Sequence, residues 1–590
     1  MRQGPIILLV ILQSLGAWGL DIFVAPDGDD DAAGTMSHPY MSIGFAIEAA
    51  GPGDRVLLLP GVYHQAATMV RRSGAPENPL VIESWSEHPD QFAVIDGGAE
   101  PGSGLSQEGL RLQDASWVTI RNVEFRNCWT DVITLERSSY ITIQGCRFTE
   151  TGQHAVSTLD LETHHILIED CVWSQDPRIW TTWDWEELHH GALSHYNGGF
   201  YGGRAGAGDA IIRHNTIRFA FNGLRWWLRE EEKGAQRNIE IYDNLFEYCL
   251  DNFIEPEVFT ANLHVYHNIF GSCPNGVFSI DKVDGGPIYI YGNVGRWSRD
   301  GCSKERPWTI YKFSKYGDPG WLAEPLYLYH NSWDYMTAFG ASGGEYLKAE
   351  DHVYHINNAY SFQGGKDFGL NGWQGQSCRF DSDLSSVAWP KELRDTGFEH
   401  GGVVGDPAFL DPQGHDYRLS PGSRGIDGGT ILPDFTQWYA GDAPDIGAYD
   451  GDQLVYGPPF EHQIGINDTI PEKPRIVRCF ARGEQLAVFF SADIAPASLT
   501  PATVRVIIHG TSTPVERATF PGPGRAALLD MGRPLGGVEE IELEFEALPV
   551  GTDGQAGTLW GADLRLIHIP SEAHLLGEMA RVFRSRGASF

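Results

Sequence analysis

One short pattern recurs along the chain and limits its possible folds more than any other feature. Each copy alternates apolar and polar residues with a period of two, turns at a small or amide residue, and ends on an aromatic or aliphatic side chain. The copies are WVTIRNVEF from residue 117, YITIQGCRF from 140, HILIEDCVW from 165, NIEIYDNLF from 238, NLHVYHNIF from 262, PIYIYGNV from 287 and LYLYHNSW from 326. A strand pattern that returns at such intervals predicts one coil of a parallel solenoid per copy.

A second apolar run follows each copy after a short turn. These runs are 132–135, 155–159, 223–227, 253–257, 276–280 and 308–313. Short apolar runs between turn signals are typical of buried strands. We therefore expect them to form a second parallel sheet of the solenoid.

The turn inside the pattern holds an asparagine in successive copies. The asparagines are Asn215, Asn244, Asn268, Asn293, Asn331 and Asn358. An asparagine at a tight turn can adopt the left-handed conformation and bind backbone groups through its amide, so stacked copies predict a hydrogen-bonded ladder. Cys146 and Cys171 occupy the same station in earlier copies, and we expect small buried residues there rather than a disulfide.

The composition and the N terminus point to an exported, all-β protein. Glycine accounts for 70 of 590 residues and aromatics for 12%. Residues 1–19 read as a signal peptide, with Arg2, an apolar run over 6–12 and a small-x-small cleavage site at 17–19. No later segment predicts a membrane span. We expect a secreted monomer, extracellular or periplasmic, with a bacterial-type signal.

The net charge of the chain limits the kinds of molecule that we expect the protein to bind. The formal net charge is −35, and binding of nucleic acid needs a basic surface, so no nucleic-acid partner is expected. An acidic surface suits a soluble exported protein and is able to bind Ca²⁺.

Both flanks of the repeats resemble a known group of proteins. The opening segment has Val24-Ala25-Pro26-Asp27-Gly28, Gly53-Asp54-Arg55-Val56 and Gly61-Val62-Tyr63, and the closing one has Gly405-Asp406-Pro407 and Asp445-Ile446-Gly447-Ala448-Tyr449. They resemble bacterial parallel β-helix proteins, a group that includes chondroitinase B, alginate lyases and several glycoside hydrolases. The resemblance implies a right-handed parallel β-helix over residues 20–455, with a capping helix over residues 40–50.

The pattern changes after the β-helix. A linker over 456–474 leads to short strands over 475–570, which predict a small β-sandwich, and a tail follows over 571–590. Phe489-Phe490-Ser491 followed by Pro496 resembles bacterial immunoglobulin-like modules. The sandwich is either a spacer or a carbohydrate-binding module, and we favour the spacer.

An insertion rich in Trp, His and Gly interrupts the repeats over residues 174–209. Long loops on a rigid scaffold commonly carry function. Its candidate substrate-binding residues are Trp183, Trp185, His189 and His190.

The second runs place the remaining candidates on one outward face. We align Ile133, Val156, Leu224, Ile254 and Val277 as inward residues, which makes Arg225 and Glu255 outward neighbours one coil apart. Glu255 and Glu257 then lie side by side, and two carboxylates at such a separation suit glycoside hydrolysis. The aromatic candidates for stacking on a sugar here are Trp226 and Trp227.

A lyase would use the same face differently. Glu255-Pro256-Glu257 resembles the Glu-x-Glu calcium ligands of the chondroitinase B and alginate lyase group. Asp251 is a further carboxylate that either binds a metal or caps a turn, and we favour the turn. The catalytic Lys and Arg of that group have no counterpart directly after the pair or on the next coil. Lys282 and Lys312 are the candidates to replace them.

Three classes of function fit this pattern. The first is a secreted enzyme that cleaves a polysaccharide, with hydrolysis by the Glu pair ahead of Ca²⁺-assisted β-elimination. The second is a non-catalytic glycan-binding or adhesive protein. The third is a uronate epimerase, which shares the proton-abstraction step.

Overall fold

The computed structural model describes most of the chain from residue 19 to residue 457. The stretches outside the described residues in that span are 65–66, 77, 87–90, 99–107, 204–207, 227–236, 257–259, 281–286, 299–300, 304–308, 314–324, 342–352, 366–367, 370–377, 396, 433–434, 437–438 and 456. Beyond it, the structure describes short pieces between residues 476 and 569. The predicted signal peptide and C-terminal tail thus lie outside the described residues. In the described part, no helix has the length and apolar character needed to cross a bilayer.

Three parallel sheets build the solenoid, and the successive coils between residues 55 and 341 pass through them in the order A, B, C. Sheet A consists of Asp21–Val24, Arg55–Leu58, Leu80–Ser84, Ser116–Arg121, Ser139–Gln144, His164–Glu169, Gly208–Arg213, Arg237–Tyr242, Ala261–Tyr266, Ile288–Tyr291, Leu326–Tyr329, Val353–Ile356 and Arg379–Asp381. Sheet B consists of Gly61–His64, Ala93–Asp96, Val123–Arg126, Arg147–Thr149, Val172–Ser174, Thr216–Arg218, Leu245–Glu247, Ile269–Phe270, Val294–Arg296, Ser332–Tyr335, Ala359–Phe362, Leu384–Ser385 and Val403–Val404. Sheet C consists of Thr68–Val70, Leu110–Gln113, Ile133–Glu136, Val156–Thr158, Tyr201–Gly203, Leu224–Trp226, Asn252–Glu255, Gly276–Ile280, Thr309–Phe313 and Thr337–Ala341.

This architecture confirms the predicted right-handed parallel β-helix and corrects its details. The turn inside each repeat splits it into a strand of sheet A and a strand of sheet B, so there are three long sheets and not two. Tyr201–Gly203 is a strand of sheet C inside the stretch predicted as an insertion, because it pairs with both Val156–Thr158 and Leu224–Trp226. Ile254 aligns with Phe278 and not with Val277.

The predicted asparagine ladder is present at the corner between sheets A and B. Each asparagine from Asn215 to Asn358 is fully buried. The amide of Asn268, for example, accepts from the backbone N–H of Asn244 at 3.1 Å and donates to the carbonyl of Ile241 at 2.9 Å. The left-handed conformation, however, belongs to the residue before each ladder position, such as His267 at φ 54° and His330 at φ 51°. The preceding residue makes the turn, and the asparagine then points inward.

Cys146 and Cys171 are free and buried at the predicted station, which confirms their structural role. The register of sheet A continues the station from Cys171 to Asn215. The backbone N–H of Cys171 donates to the amide oxygen of Asn215 at 2.9 Å. The two cysteines thus extend the buried stack in which the asparagines stand.

Helices are few and short in the described part of the chain. The α-helices are Ile43–Ala49, Arg178–Thr181, Trp185–His189 and Lys391–Asp395, and the 3₁₀ turns are Ser194–Tyr196, Gln363–Gly365 and Pro412–Gly414. The first is the predicted cap: Ile43, Ala46 and Ile47 pack into the core and close the open end of the coils.

The described residues that follow the coils form small antiparallel units. Phe409–Asp411 pairs with Asp416–Leu419, and Tyr449–Asp450 pairs with Gln453–Leu454. The predicted sandwich is present as two antiparallel sheets of four strands. One contains Ile476–Arg482, Gln485–Phe490, Ala526–Asp530 and Arg517–Thr519; the other contains Thr511–Thr513, Val504–Ile508, Glu539–Phe545 and Ile567–Ile569.

Candidate functional site

The candidate site is a line of outward side chains across sheet C. Arg225 lies opposite Glu255, as predicted, and Ser279 lies opposite Lys312. Since Ile254 aligns with Phe278, the next residues, Glu255 and Ser279, are also neighbours. We call this line, from Thr134 through Arg225 and Glu255 to Lys312, the outward row.

A buried ion pair lies at the centre of the outward row. The Nε atom of Arg225 is 3.1 Å from Oε2 of Glu255, and the two side chains are 15% and 5% exposed. Arg225 also donates through Nη1 to Oδ1 of Asn197, which belongs to the insertion. The guanidinium therefore joins the insertion to the row and has a charged and a neutral acceptor.

A second cation, Lys312, lies in the outward row two coils beyond Glu255. The Nζ atom of Lys312 donates to Oδ1 of Asn252 at 3.0 Å, and Asn252 is fully buried. Asp251, one residue earlier, accepts from the side chain of Asn275. This hydrogen bond joins Asp251 to the corner of the next coil.

Two hydroxyls of the row are buried yet unbonded. Thr134 and Ser157 are 0% and 1% exposed, and their hydroxyl oxygens have no hydrogen-bond partner among the residues the structure describes. Buried hydroxyls normally have partners, because an unpaired one costs about 1–3 kcal/mol.

The insertion packs on the corner where sheet B turns into sheet C. Gln175 fixes the first residues of the insertion through two hydrogen bonds. Its Nε2 donates to the carbonyl of Gly152 at 2.8 Å, and its amide oxygen accepts from the N–H of Phe221 at 3.2 Å. The rings of Trp185 and His189 lie 6.1 and 5.9 Å from that of Phe221. The insertion is thus a packed structure beside the outward row.

His189 lies within electrostatic reach of two groups of the site. Burial lowers the pKa of His189, and His190 and Arg225 lower it further, while Asp251 acts in the opposite direction. His190 itself is exposed, with its ring 3.8 Å from that of His189. The lowered pKa favours the neutral imidazole, the form that accepts a proton.

A histidine–aspartate pair that the sequence reasoning missed completes the site. Nδ1 of His154 lies 2.8 Å from Oδ1 of Asp131. A Cβ atom at Gly202 would lie 1.8 Å from the backbone oxygen of Arg225 and 2.8 Å from Cδ2 of His154, so only glycine fits at this position. The imidazole of His154 therefore lies against the outward row at Gly202. When Asp131 accepts the Nδ1 proton, Nε2 is left as the basic atom. The available signal was positional, since both residues stand two places before a sheet C strand.

The other predicted residues have mixed outcomes. The prediction of Trp226 as substrate-binding is wrong: its indole is 1% exposed and lies in the core, because the alternation that turns Arg225 outward turns Trp226 inward. Trp183 and Trp185 are partly buried in the packing of the insertion. Glu257, Trp227 and Lys282 lie outside the described residues. The predicted Glu pair and the calcium ligand set therefore stay predictions.

Comparison with known proteins supports the fold. A family model for a Pel9A-like right-handed β-helix region matches residues 22–178, and one for a right-handed β-helix region matches residues 108–294. Together with the coils, these matches support a right-handed parallel β-helix fold for this part of the chain.

Two curated proteins share part of the sequence. The chain is 31% identical over 117 residues to pectate lyase PEL9 of Emericella nidulans, covering 18% of this chain and 28% of that protein. It is 24% identical over 106 residues to an uncharacterized protein of Bacillus subtilis, covering 18% and 22% respectively. The chain thus matches only about a quarter of the length of these relatives.

Three of the solved structures with some likeness are, by their titles, two lyases and a lacto-N-biosidase. The lyases are pectate lyase Pel9A (13% identity, TM-score 0.38, 73% of this chain and 96% of that one) and the alginate lyase AlyGC (13%, 0.38, 72% and 60%). A third is a lacto-N-biosidase from Eubacterium ramulus (12%, 0.34, 66% and 68%). These TM-scores are low, and the fold assignment rests on the coils and the family models.

Proposed function

We propose that this β-helix protein is an exported polysaccharide lyase that cleaves a uronate-containing glycan by β-elimination. The observation that carries the proposal is the outward row itself, where Arg225 and the His154–Asp131 pair adjoin across Gly202. The matched pectate lyase supports the same class. Ten strands at a spacing of about 4.8 Å give sheet C a length of roughly 40 Å, which suits an extended polymer.

Elimination needs two groups that the row supplies. The uronate carboxylate must be neutralised, so that the C5 proton becomes acidic, and a guanidinium binds a carboxylate well. Arg225 takes this role, with Glu255 and Asn197 fixing its orientation. Nε2 of His154 then takes the C5 proton, and Asp131 holds the ring and stabilises the imidazolium. The C4–O bond breaks as the C4–C5 double bond forms, and the departing oxygen takes a proton from water.

The row fits this chemistry better than hydrolysis by the predicted pair. Glu255 accepts a charge-assisted hydrogen bond from Arg225, so it acts as an acceptor, whereas a hydrolase needs one carboxyl group as a proton donor. Hydrolysis nevertheless stays a distinct outcome of the experiment, and so does binding without cleavage.

The experiment follows polygalacturonate, alginate and a neutral glycan with and without Ca²⁺. Ultraviolet absorbance of the unsaturated uronate and new reducing ends are recorded together. We expect both signals to rise on one uronate polymer, and Arg225→Gln and His154→Gln to lower kcat/KM by about a hundredfold or more. Arg225→Lys should retain part of the activity.

The control is Arg126→Gln, which breaks a comparable ion pair with Asp96 at 2.8 Å on sheet B. It should change kcat/KM by less than about twofold, because it lies on another face. Reducing ends without absorbance would replace the lyase by a hydrolase. Binding without either signal would favour the adhesive class, and a strict need for Ca²⁺ would give the neutralising role to a metal.

A further inference from the structure

A second cluster of reactive side chains lies away from the outward row, where the coils enter sheet A. One residue near the start of each of six successive sheet A strands adopts the left-handed conformation. These residues are Trp117 (φ 59°), Tyr140 (57°), His165 (58°), Asp209 (59°), Asn238 (58°) and Asn262 (49°). They form a column along the solenoid, and only its middle pair consists of metal-ligating types.

The left-handed turn brings two adjacent histidines to the same side of the chain. In a regular strand, neighbouring side chains point to opposite faces. Because His165 has a positive φ, Nδ1 of His164 and Nδ1 of His165 instead lie 2.6 Å apart. The strand register sets His164 opposite Gly208, so the next coil brings Oδ2 of Asp209 to 3.6 Å from Nδ1 of His165. The three ligand atoms all lie within 4.8 Å of one another.

The surrounding residues hold this carboxylate in place. Nδ2 of Asn238 donates to Oδ1 of Asp209 at 3.0 Å, and Nδ2 of Asn262 donates to Oδ1 of Asn238 at 2.9 Å. The other oxygen of Asp209 is the one that faces His165. On the opposite side, the ring of Tyr140 lies 4.5 Å from that of His165. Such outer hydrogen bonds are what orient metal ligands in proteins.

We propose that His164, His165 and Asp209 bind one divalent transition-metal ion, with Zn²⁺ as the best chemical fit. Two imidazoles and one carboxylate are typical ligands of Zn²⁺, whereas Ca²⁺ takes oxygen ligands. Zn–N bonds of about 2.0–2.1 Å require the two Nδ1 atoms to part by less than about 1 Å. The side chains of His165 and Asp209 are 25% and 10% exposed, so solvent reaches the cluster, and water would supply the fourth ligand of the ion.

The ion would join the two coils that flank the insertion. His165 begins the coil that carries the insertion, and Asp209 begins the next coil. A metal that binds only the folded chain stabilises it in proportion to the logarithm of its free concentration. Bound Zn²⁺ should therefore raise the unfolding temperature, independently of any catalytic activity.

The experiment is a calorimetric titration of the untagged, chelator-treated full chain with Zn²⁺ and, separately, with Ca²⁺. We expect one Zn²⁺ per chain. His165→Asn and Asp209→Asn should each weaken it by at least about tenfold, since asparagine keeps the left-handed backbone and removes the ligand. Ca²⁺ should give no binding that these variants change.

The matched control is His214→Asn. His214 also has a left-handed backbone, at φ 55°, and its side chain is 45% exposed beside Asp170 and Asp243. This variant should bind Zn²⁺ as the original chain does. The proposal is overturned if the chain binds no Zn²⁺, if both ligand variants bind it with unchanged affinity, or if only His214→Asn loses it.

Discussion

Two corners of the same solenoid differ in the contacts that stabilise their turns. At the corner between sheets A and B, each coil from Asn215 to Asn358 has the same arrangement, a left-handed residue followed by a buried asparagine. At the corner between sheets B and C, Gln175, His154 and Asn197 each make a contact of a different kind. The repeated corner is structural, and the irregular corner adjoins the candidate active site.

The repeated corner is a continuous hydrogen-bonded column. Each asparagine accepts from the backbone N–H of the preceding ladder residue and donates to carbonyls inside the coil. The column ends on Asp383, whose Oδ1 accepts from the N–H of Asn358 at 2.5 Å and from its amide at 3.0 Å. Because each asparagine forms hydrogen bonds with two coils, removing one amide should also weaken the hydrogen bonds of the adjacent asparagines.

The largest expected effect comes from breaking this column in its middle. Asn268→Ala would leave the backbone N–H of Asn244 and the carbonyls of Ile241 and Tyr266 without these partners. At about 1–3 kcal/mol for each buried unpaired group, we expect the free energy of unfolding to fall by about 3–6 kcal/mol. Chemical denaturation followed by circular dichroism measures the change.

The control for this variant is Cys146→Ala, at the same station near the start of the column. Its thiol contacts two carbonyls at 3.6 and 3.7 Å, which are long hydrogen bonds, so its loss should cost about 1 kcal/mol. Equal losses in the two variants would mean that packing, and not the amides, stabilises this corner.

The same contrast explains what the sequence could predict. The ladder, the sheet A strands and the contact of Arg225 with Glu255 follow from a repeated pattern, because strand alternation and register carry from one coil to the next. The pattern did not show that the turn falls one residue earlier, at His267, or that Trp226 points into the core. The pairing of His154 with Asp131 depends on where a corner bends, which periodicity does not encode.

Lowering the pH tests the stability of the repeated corner without removing a side chain from the core. His330 is a left-handed residue of this corner; its Nδ1 bonds to the carbonyl of Gly447 at 3.1 Å and its Nε2 to the amide of Asn357 at 2.9 Å. Burial lowers the pKa of His330 to about 4, against a slightly raising effect of the Gly447 bond. The folded chain thus keeps this imidazole neutral where the unfolded chain protonates it.

Stability should therefore be lost as the pH falls, and not as it rises. Between about pH 6.5 and pH 4 the unfolded state binds one more proton at this site, so its contribution to the free energy of unfolding falls by about 1.4 kcal/mol per pH unit. His330→Asn keeps the left-handed turn and removes the titration, so its slope in this window should be shallower by that amount. Parallel curves for the two proteins from pH 7 to pH 4 would contradict the prediction.

The smallest effect is expected from an amide of the irregular corner. Gln175→Ala removes one donor and one acceptor that fasten the insertion to Gly152 and Phe221, at a local cost of about 1–3 kcal/mol. This contact fastens the insertion and is not part of the asparagine column, so the change should open the insertion and leave the midpoint of global unfolding nearly unchanged. Hydrogen exchange should become faster over residues 175–200 and stay unchanged along the asparagine column. If both regions lose protection together, the two corners are one cooperative unit, and the insertion supports the solenoid as well as the site.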